Sequence, residues 1–312
     1  MRHFRCWLRC LTGLAIALNV AAAQAQRISV VASDETPAFQ EAVHVLVEEF
    51  ARGGLSVNDV RSNHLNAPSH LEPWPEETRV IVTLGARAFA QVMADNPHAA
   101  VIAALIPRMG FERIVSQLAR KTPLNVSALY LDQPFARQLA LVRLVLPSAK
   151  FLGVIWGPES GGQRSQLAAN AKSMGFVLHE GSVEHAEPLI GALRSALGDT
   201  DVLLAVPDAQ VYNAATVSDI LLTTYRAHIP VIAFSPSYAK AGAVVSLYTS
   251  PSQVGLQAAS MAMATLQSGM PPPSQYPNDF SIAVNEYVAR SLGMAVDTRH
   301  LTVQIISQEK HP

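Results

Sequence analysis

The amino-acid sequence predicts an α/β protein of two doubly wound parallel-sheet lobes joined by a multi-strand hinge. Three observations predict it. Short β-branched runs alternate with longer helical patterns along most of the chain. Several of those runs, such as residues 78–84 (TRVIVTL) and 99–106, are apolar almost throughout, as strands are when helices cover both faces of a parallel sheet. The rhythm also starts afresh near residue 148, just after Pro147, so there are two such series in succession.

Residues 27–32 (RISVVA) read as a strand, and 37–52 as a helix that carries Phe39, Val43, Leu46, Val47 and Phe50 on one face and ends at Gly53-Gly54. Residues 55–61 make a weaker strand, and 62–77, with Asn, His, Pro and Trp, a loop. Strand 78–84 opens into helix 86–94, strand 99–106 ends at Pro107, helix 111–118 comes next, and strand 124–131 leads into a crossing. Helix 133–145 ends at Pro147, and the second series then runs strand 151–156, helix 163–174, strand 176–180, helix 186–197, strand 202–206, helix 214–228 and strand 230–234. The tail departs from it: strand 243–248, a long amphipathic helix 252–268, a Pro-rich link 269–277 (GMPPPSQYP), then 280–284, a short helix 285–292 and 301–306. Elements this late can return to the first lobe. The expected division is residues 27–130 with 249–278 as lobe one, and 131–248 with 279–312 as lobe two.

Residues 1–26 read as a secretory signal peptide. Arg2, His3, Arg5 and Arg9 form a basic start, an uncharged and mostly apolar run spans 11–23, and Ala23-Gln24-Ala25 is a small-x-small cleavage site. The apolar run is short for a bilayer. Cys10 precedes it instead of following it, which argues against lipid anchoring. The expected location is therefore the periplasm. Cys6 and Cys10 are the only cysteines, so beyond the leader there is no disulfide, thiolate nucleophile or Cys metal site. The formal net charge is −1, about −4 without the leader's three arginines, and no Lys/Arg cluster occurs. That disfavours nucleic acid and anionic membrane as partners, and no second apolar run approaches transmembrane length.

Residues 201–255 and their surroundings carry a resemblance. A strand ends in Pro207-Asp208 before a helix, His228-Ile229-Pro230-Val231 opens another strand, and a Gly242-Ala243 strand leads into a turn at Tyr248 and a helix containing Gly255. Residues 146–150 (LPSAK) before Gly153-Val154-Ile155, and 283–293 (AVNEYVARSLG), match as well. The chain resembles ABC-transporter substrate-binding proteins of the type I periplasmic-binding fold, in the group with tryptophan- and tyrosine-binding members. The likeness is specific in the second half and loose in the first. It implies capture of an amino acid-like small molecule in the interlobe cleft, hinge closure, delivery to an inner-membrane ABC permease, and a monomer without cofactor or catalysis. The alternative is a ligand-sensing or accessory subunit for a membrane receptor or an outer-membrane uptake system. Two departures touch the cleft: Asp208-Ala209 stands where the family often has Asp-Asn, and Pro107-Arg108 where it tends to have Asp-Pro.

Ligands of open parallel sheets sit beyond the carboxyl ends of the strands, where helix N-termini offer free N–H groups. Read in that order, the candidate ligand-binding residues are Ser33, Thr36, Gly85, Ala86, Arg108, Tyr130, Trp156, Asp208, Ser235 and Tyr248. Ser33 and Thr36 are equally readable as helix caps, and Trp156 as core. Gly85 permits close backbone approach, and Arg108 suits an anion better than Arg87, which reads as outward-facing. Asp208 suits an ammonium group or a turn cap, and Gly161-Gly162 would let backbone N–H groups face a ligand. Tyr130, with Asp132 and Gln133, falls at the first crossing and Tyr248 at a later one. For catalysis the residues offer little: Ser160 stands one place late for G-x-S-x-G, and there is no P-loop, G-x-G-x-x-G or H-E-x-x-H. A hydrolase on this scaffold lacks a visible nucleophile–base pair. His64 and His70, sharing a loop with Asn63 and Glu72, read as a solvated loop before a metal site.

Overall fold

The computed structural model describes residues 27–56, 59–65, 74–118, 125–183 and 189–310. Residues 1–26, read from the sequence as a leader, and His70 and Glu72 lie outside the described residues.

The first sheet is built from β1 (Ile28–Ala32), β2 (Val60–His64), β3 (Val80–Leu84), β4 (Ala100–Ile106) and β5 (Val126–Tyr130). They lie in the order β2-β1-β3-β4-β5, all parallel. Helices α1 (Pro37–Arg52), α2 (Ala86–Ala94) and α3 (Arg108–Gln117) make the crossovers. Alternate residues of the covered strands β1, β3, β4 and β5 enter different cores. Ile28, Val30, Val80, Val82 and Ile102 join Ala42, Leu46 and Phe50 of α1, whereas Val31, Ile81 and Val101 join Phe89 of α2 and Phe111 of α3. Each fully buried Val, Leu, Ile or Phe contributes about 1.5–3 kcal/mol, so the two-sided pattern is what makes these strands apolar throughout.

The second sheet has the order β11-β10-β9-β8-β6-β7. Its strands are β6 (Phe151–Trp156), β7 (Val177–Ser182), β8 (Val202–Leu204), β9 (Val231–Ala233), β10 (Val245–Tyr248) and β11 (Ser281–Val284). Only β11 is antiparallel, against β10. Around the sheet lie α4 (Phe135–Val145), α5 (Arg164–Ser173), α6 (Leu189–Leu197), α7 (Val217–Arg226), α8 (Pro236–Ala241), α10 (Glu286–Ser291) and α11 (Thr298–Lys310).

The remaining helix, α9 (Pro251–Ser268), leaves lobe two after β10 and packs on α1, β3, β4 and β5 of the first sheet. Its ends are written in the sequence. Ser250 and Gln253 form a capping box, Pro251 occupies the first turn, and Gly269 closes it with φ 78°. Val254, Ala258, Met261 and Ala262 enter the α1 core. At Gly255 an added Cβ would lie 2.6 Å from the Ala42 carbonyl and 3.2 Å from Val45 Cβ, so glycine sets how closely the two helices approach. The chain then returns past β5, where Gln275 and the strand exchange hydrogen bonds (Tyr130 N to Gln275 O, 3.0 Å; Gln275 N to Ala128 O, 2.9 Å). The sheets are thus joined by three crossings: residues 131–134, 249–250 and 269–280.

Most elements fall within a few residues of their sequence readings. The weak strand is displaced: it runs Val60–His64, not 55–61, and its residues are half-buried or exposed at a sheet edge, where apolar periodicity is not required. Helix α8 escapes the periodic reading because six residues from Pro236 hold under two turns. Residues 301–306 belong to α11 and pack on α4. Replacing Gly255 by Leu will wedge α9 from α1 and cost about 1–3 kcal/mol, read as a lower urea midpoint.

Candidate functional site

The carboxyl ends of the two sheets face one another. The first turn of α3, just after β4, meets the loop after β6: Arg108 donates from an Nη to Gln166 Oε1 at 3.2 Å. Arg113 and Glu159 come within 3.9 Å, and a Cβ on Gly162 would stand 2.7 Å from Met109 Cε. The hinge closes one end of this cleft.

One buried side chain connects the crossings. Arg137, on the inner face of α4, donates to Gln133 Oε1 (2.8 Å) in the first crossing and to the Pro277 carbonyl (2.9 Å) in the third. It forms a bidentate pair with Glu309 of α11 (2.6 and 3.1 Å). Gln133 in turn donates to Thr249 Oγ1 (2.6 Å) of the second crossing.

On the rim of lobe one, the Ser33 hydroxyl accepts from Ala88 N (2.8 Å), so it anchors the start of α2. Gly85 has φ 90°, and a Cβ there would strike Ser33 Oγ at 2.5 Å. This turn admits glycine alone. Arg87 donates to the carbonyls of Ser33 and Leu65, so it supports the rim and leaves no carboxylate site. Thr36 is exposed, and its hydroxyl caps nothing; Ala86 is half-buried at the head of α2.

Arg108 is already engaged. Its Nε donates to Glu112 (2.7 Å), and one Nη serves both Gln166 and the Tyr276 hydroxyl (3.0 Å). Glu112 and Tyr276 hold its pKa above the ordinary arginine value. Its backbone N–H donates to Asp132 Oδ2 at 2.5 Å. Burial pushes the Asp132 carboxyl above the usual range. Tyr130 lies 9% exposed, edge-on to Phe111 and Tyr276, and burial raises its phenol.

Two residues need correction on the rim of lobe two. Trp156 is fully buried among Leu152, Val154, Leu167 and Phe176, and its Nε1 donates to Glu180 (2.6 Å). It is a core residue, not a stacking surface. Asp208 does not offer a free carboxylate. Oδ2 accepts from Glu159 N (2.9 Å), Ser160 N (2.8 Å) and Ser160 Oγ (2.9 Å), and Oδ1 from Gln210 N (2.9 Å). A carboxylate has about four lone-pair sites, so this one is filled: it ties the loop after β6 to the loop after β8. The same bonds occupy the Ser160 hydroxyl, which also accepts from Gly157 N (3.0 Å).

Ser235 and Tyr248 keep unspent polar groups. Ser235 begins α8 without a side-chain cap bond and is half-buried, as is Tyr248 at the end of β10. Beside Ser235, Phe234 packs with Tyr238 (4.8 Å) and Tyr212 (5.8 Å). The Tyr212 hydroxyl is buried with no partner among the described residues. Sequence reading did not single out Tyr276, which sits in a Pro-rich link without periodicity. It also missed Arg137, whose only signal is a charge within the apolar face of α4. His64 is in β2, its Nδ1 3.3 Å from the Asp34 carbonyl.

Two mainly parallel sheets linked by three crossings, with opposed carboxyl ends, define the two-lobed type I periplasmic-binding fold. The family model for ABC transporter substrate binding proteins matches residues 74–304, and the chain belongs to that family. A comparison with curated proteins found no match. Among solved structures, the chain is similar to the ligand-free, open form of a substrate binding protein with adhesive properties from Clostridium difficile (19% identity, TM-score 0.66, covering 88% of this chain and 97% of that one). It is also similar to a conserved domain protein from Vibrio cholerae (18%, 0.61, 90% and 98%) and to an ABC domain from Streptococcus pneumonia in complex with L-Trp (16%, 0.59, 87% and 95%). No described helix is long and apolar enough to cross a membrane.

This geometry sets the outcome of two substitutions. Asp208→Ala strands three backbone N–H groups and a hydroxyl. Because hydrogen bonds to charged groups contribute about 1.5–3 kcal/mol, it will lower stability by roughly 3 kcal/mol in urea titration, before any effect on ligand. Asp132→Asn removes a carboxylate whose folded pKa is raised. The wild-type penalty is present above that pKa and fades as pH falls through it. The variant will therefore be the more stable protein at pH 7, and its advantage will vanish as the pH approaches about 4, measured by thermal unfolding across pH.

Proposed function

We propose that residues 1–26 export this chain, and that in the periplasm it captures an amino acid-like small molecule between its lobes, as a monomer, for an inner-membrane ABC permease. It performs no chemistry on the ligand and uses no cofactor. The observation that carries this reading is the opposition of the two carboxyl-end rims across a three-strand hinge. That geometry lets a ligand docked on one lobe favour the closed form through contacts made only there. Family membership supports delivery to a transporter, and the L-Trp complex of a structure with this fold supports the amino-acid class.

The groups left unspent suggest how a zwitterion would sit. The N–H groups of the first turn of α2, at Ala86 and Arg87, suit a carboxylate; those of Thr36 and Gly85 already donate to Asp34 Oδ1 and the Ala104 carbonyl. Asp132 replaces Asp208 as the partner for an amine: a ligand ammonium beside it would relieve the burial that raises its pKa. Tyr130, Ser235 and Tyr248 would then border the ligand side chain.

A thermal-shift panel of amino acids, peptides, sugars, purines and carboxylates tests this on leader-free protein. A ligand at a hundred times its Kd adds about 2.7 kcal/mol, a shift of a few degrees. An aromatic amino acid is expected to give it. Ser235→Ala and Tyr248→Phe should weaken that shift without lowering the unliganded Tm, and Asp132→Asn should abolish it. A panel with no shift would overturn the amino-acid class and favour the sensing or accessory role.

A further inference from the structure

The head of α3 is set by an unusual strand end. Leu105 has φ 52°, a left-handed conformation disfavoured for a bulky side chain, and the register of β4 against β5 shifts between Ala103 and Ile106. Such a kink at the end of an otherwise regular strand re-aims the residues beyond it, here Pro107 and Arg108. From there Arg108 touches four separate parts of the molecule. It reaches Glu112 on its own helix, Tyr276 in the third crossing, Asp132 in the first through its backbone N–H, and Gln166 on α5 of the other lobe.

We propose that Arg108 is an interlobe latch: a positioning residue that sets the balance between open and closed lobes, not a ligand anchor. Of its four attachments, only the one to Gln166 must break when the lobes part. Glu112 and Tyr276 hold the planar guanidinium in place in either arrangement, so little rotamer freedom is lost when the latch engages. The neighbouring surface is shaped for the same approach. Met109 Cε lies where a Cβ on Gly162 would be, at 2.7 Å, whereas nothing comes within 4 Å of a Cβ on Gly161. Arg113 faces Glu159 across the same junction at 3.9 Å.

The leader-free chain contains no cysteine, so a label pair at Asp95→Cys and Ser173→Cys, exposed positions on opposite lobes, reports the interlobe distance cleanly. The measurement is made without added ligand, so its outcome is independent of the proposed ligand class. Losing one charge-assisted bond should move the open-to-closed ratio about tenfold toward open in Arg108→Gln. Gln166→Ala, which removes only the acceptor on the far lobe, should do the same while leaving α3 and its partners intact. Gly162→Phe should wedge the lobes apart, and Gly161→Phe should not. Unchanged distance distributions in Arg108→Gln and Gln166→Ala would overturn the latch. So would a shift in Gly161→Phe as large as that in Gly162→Phe.

Discussion

The arrangement of the two lobes depends on a buried guanidinium. Arg137 is 6% exposed, and an isolated charge at that depth would cost several kcal/mol. It is tolerated because its partners come from different parts of the chain: Gln133 in the first crossing, the Pro277 carbonyl in the third, and the carboxylate of Glu309. Gln133 passes the connection to Thr249 in the second. A planar fork with donors on several edges can serve such scattered acceptors at once, and an ammonium group cannot. The three crossings are therefore registered against each other by one residue, and the facing of the rims depends on that registration.

The rims themselves show how a binding surface is assembled from groups that are mostly already in use. Asp208 fills its lone pairs with donors of the facing loop and of its own, Ser33 anchors α2, and Arg87 secures two carbonyls. Charged residues at strand ends here act first on neighbouring loops. A polar group held rigid in this way cannot itself bind ligand, yet it fixes the neighbours that can. What stays open is sparse: helix-start N–H groups, the hydroxyls of Ser235 and Tyr248, and the Asp132 carboxyl beyond the bond that its Oδ2 accepts from Arg108 N.

How far the sequence could be read depends on which residues are under two-sided constraint. The alternation of covered strands and crossover helices was legible because β1, β3 and β4 must be apolar on both faces, and α9 because its capping box, Pro251 and Gly269 mark its limits. Where the constraint is one-sided the reading slipped, as in the edge strand β2. The candidate site was legible as positions, since strand ends can be counted, but not as roles. Whether Asp208 meets a ligand or a loop depends on where Glu159 and Ser160 come to lie, 48 or more residues away in sequence. Trp156 was ambiguous for the same reason, its partner Glu180 belonging to a different strand.

The late return of α9 bears on the order in which the molecule can be completed. The face of the first sheet that carries Ile28, Val30 and Val82 is covered by α1 together with Val254, Ala258, Met261 and Ala262, residues that come after strands β6 to β10 of lobe two in the chain. A polypeptide emerging from its N-terminus, at a ribosome or through a translocation pore, therefore carries an unfinished first lobe until about Ser268 has appeared. Contacts so distant in sequence slow folding through the cost of closing long loops. Until then the first half leaves exposed the apolar face of its sheet that α9 covers in the finished fold.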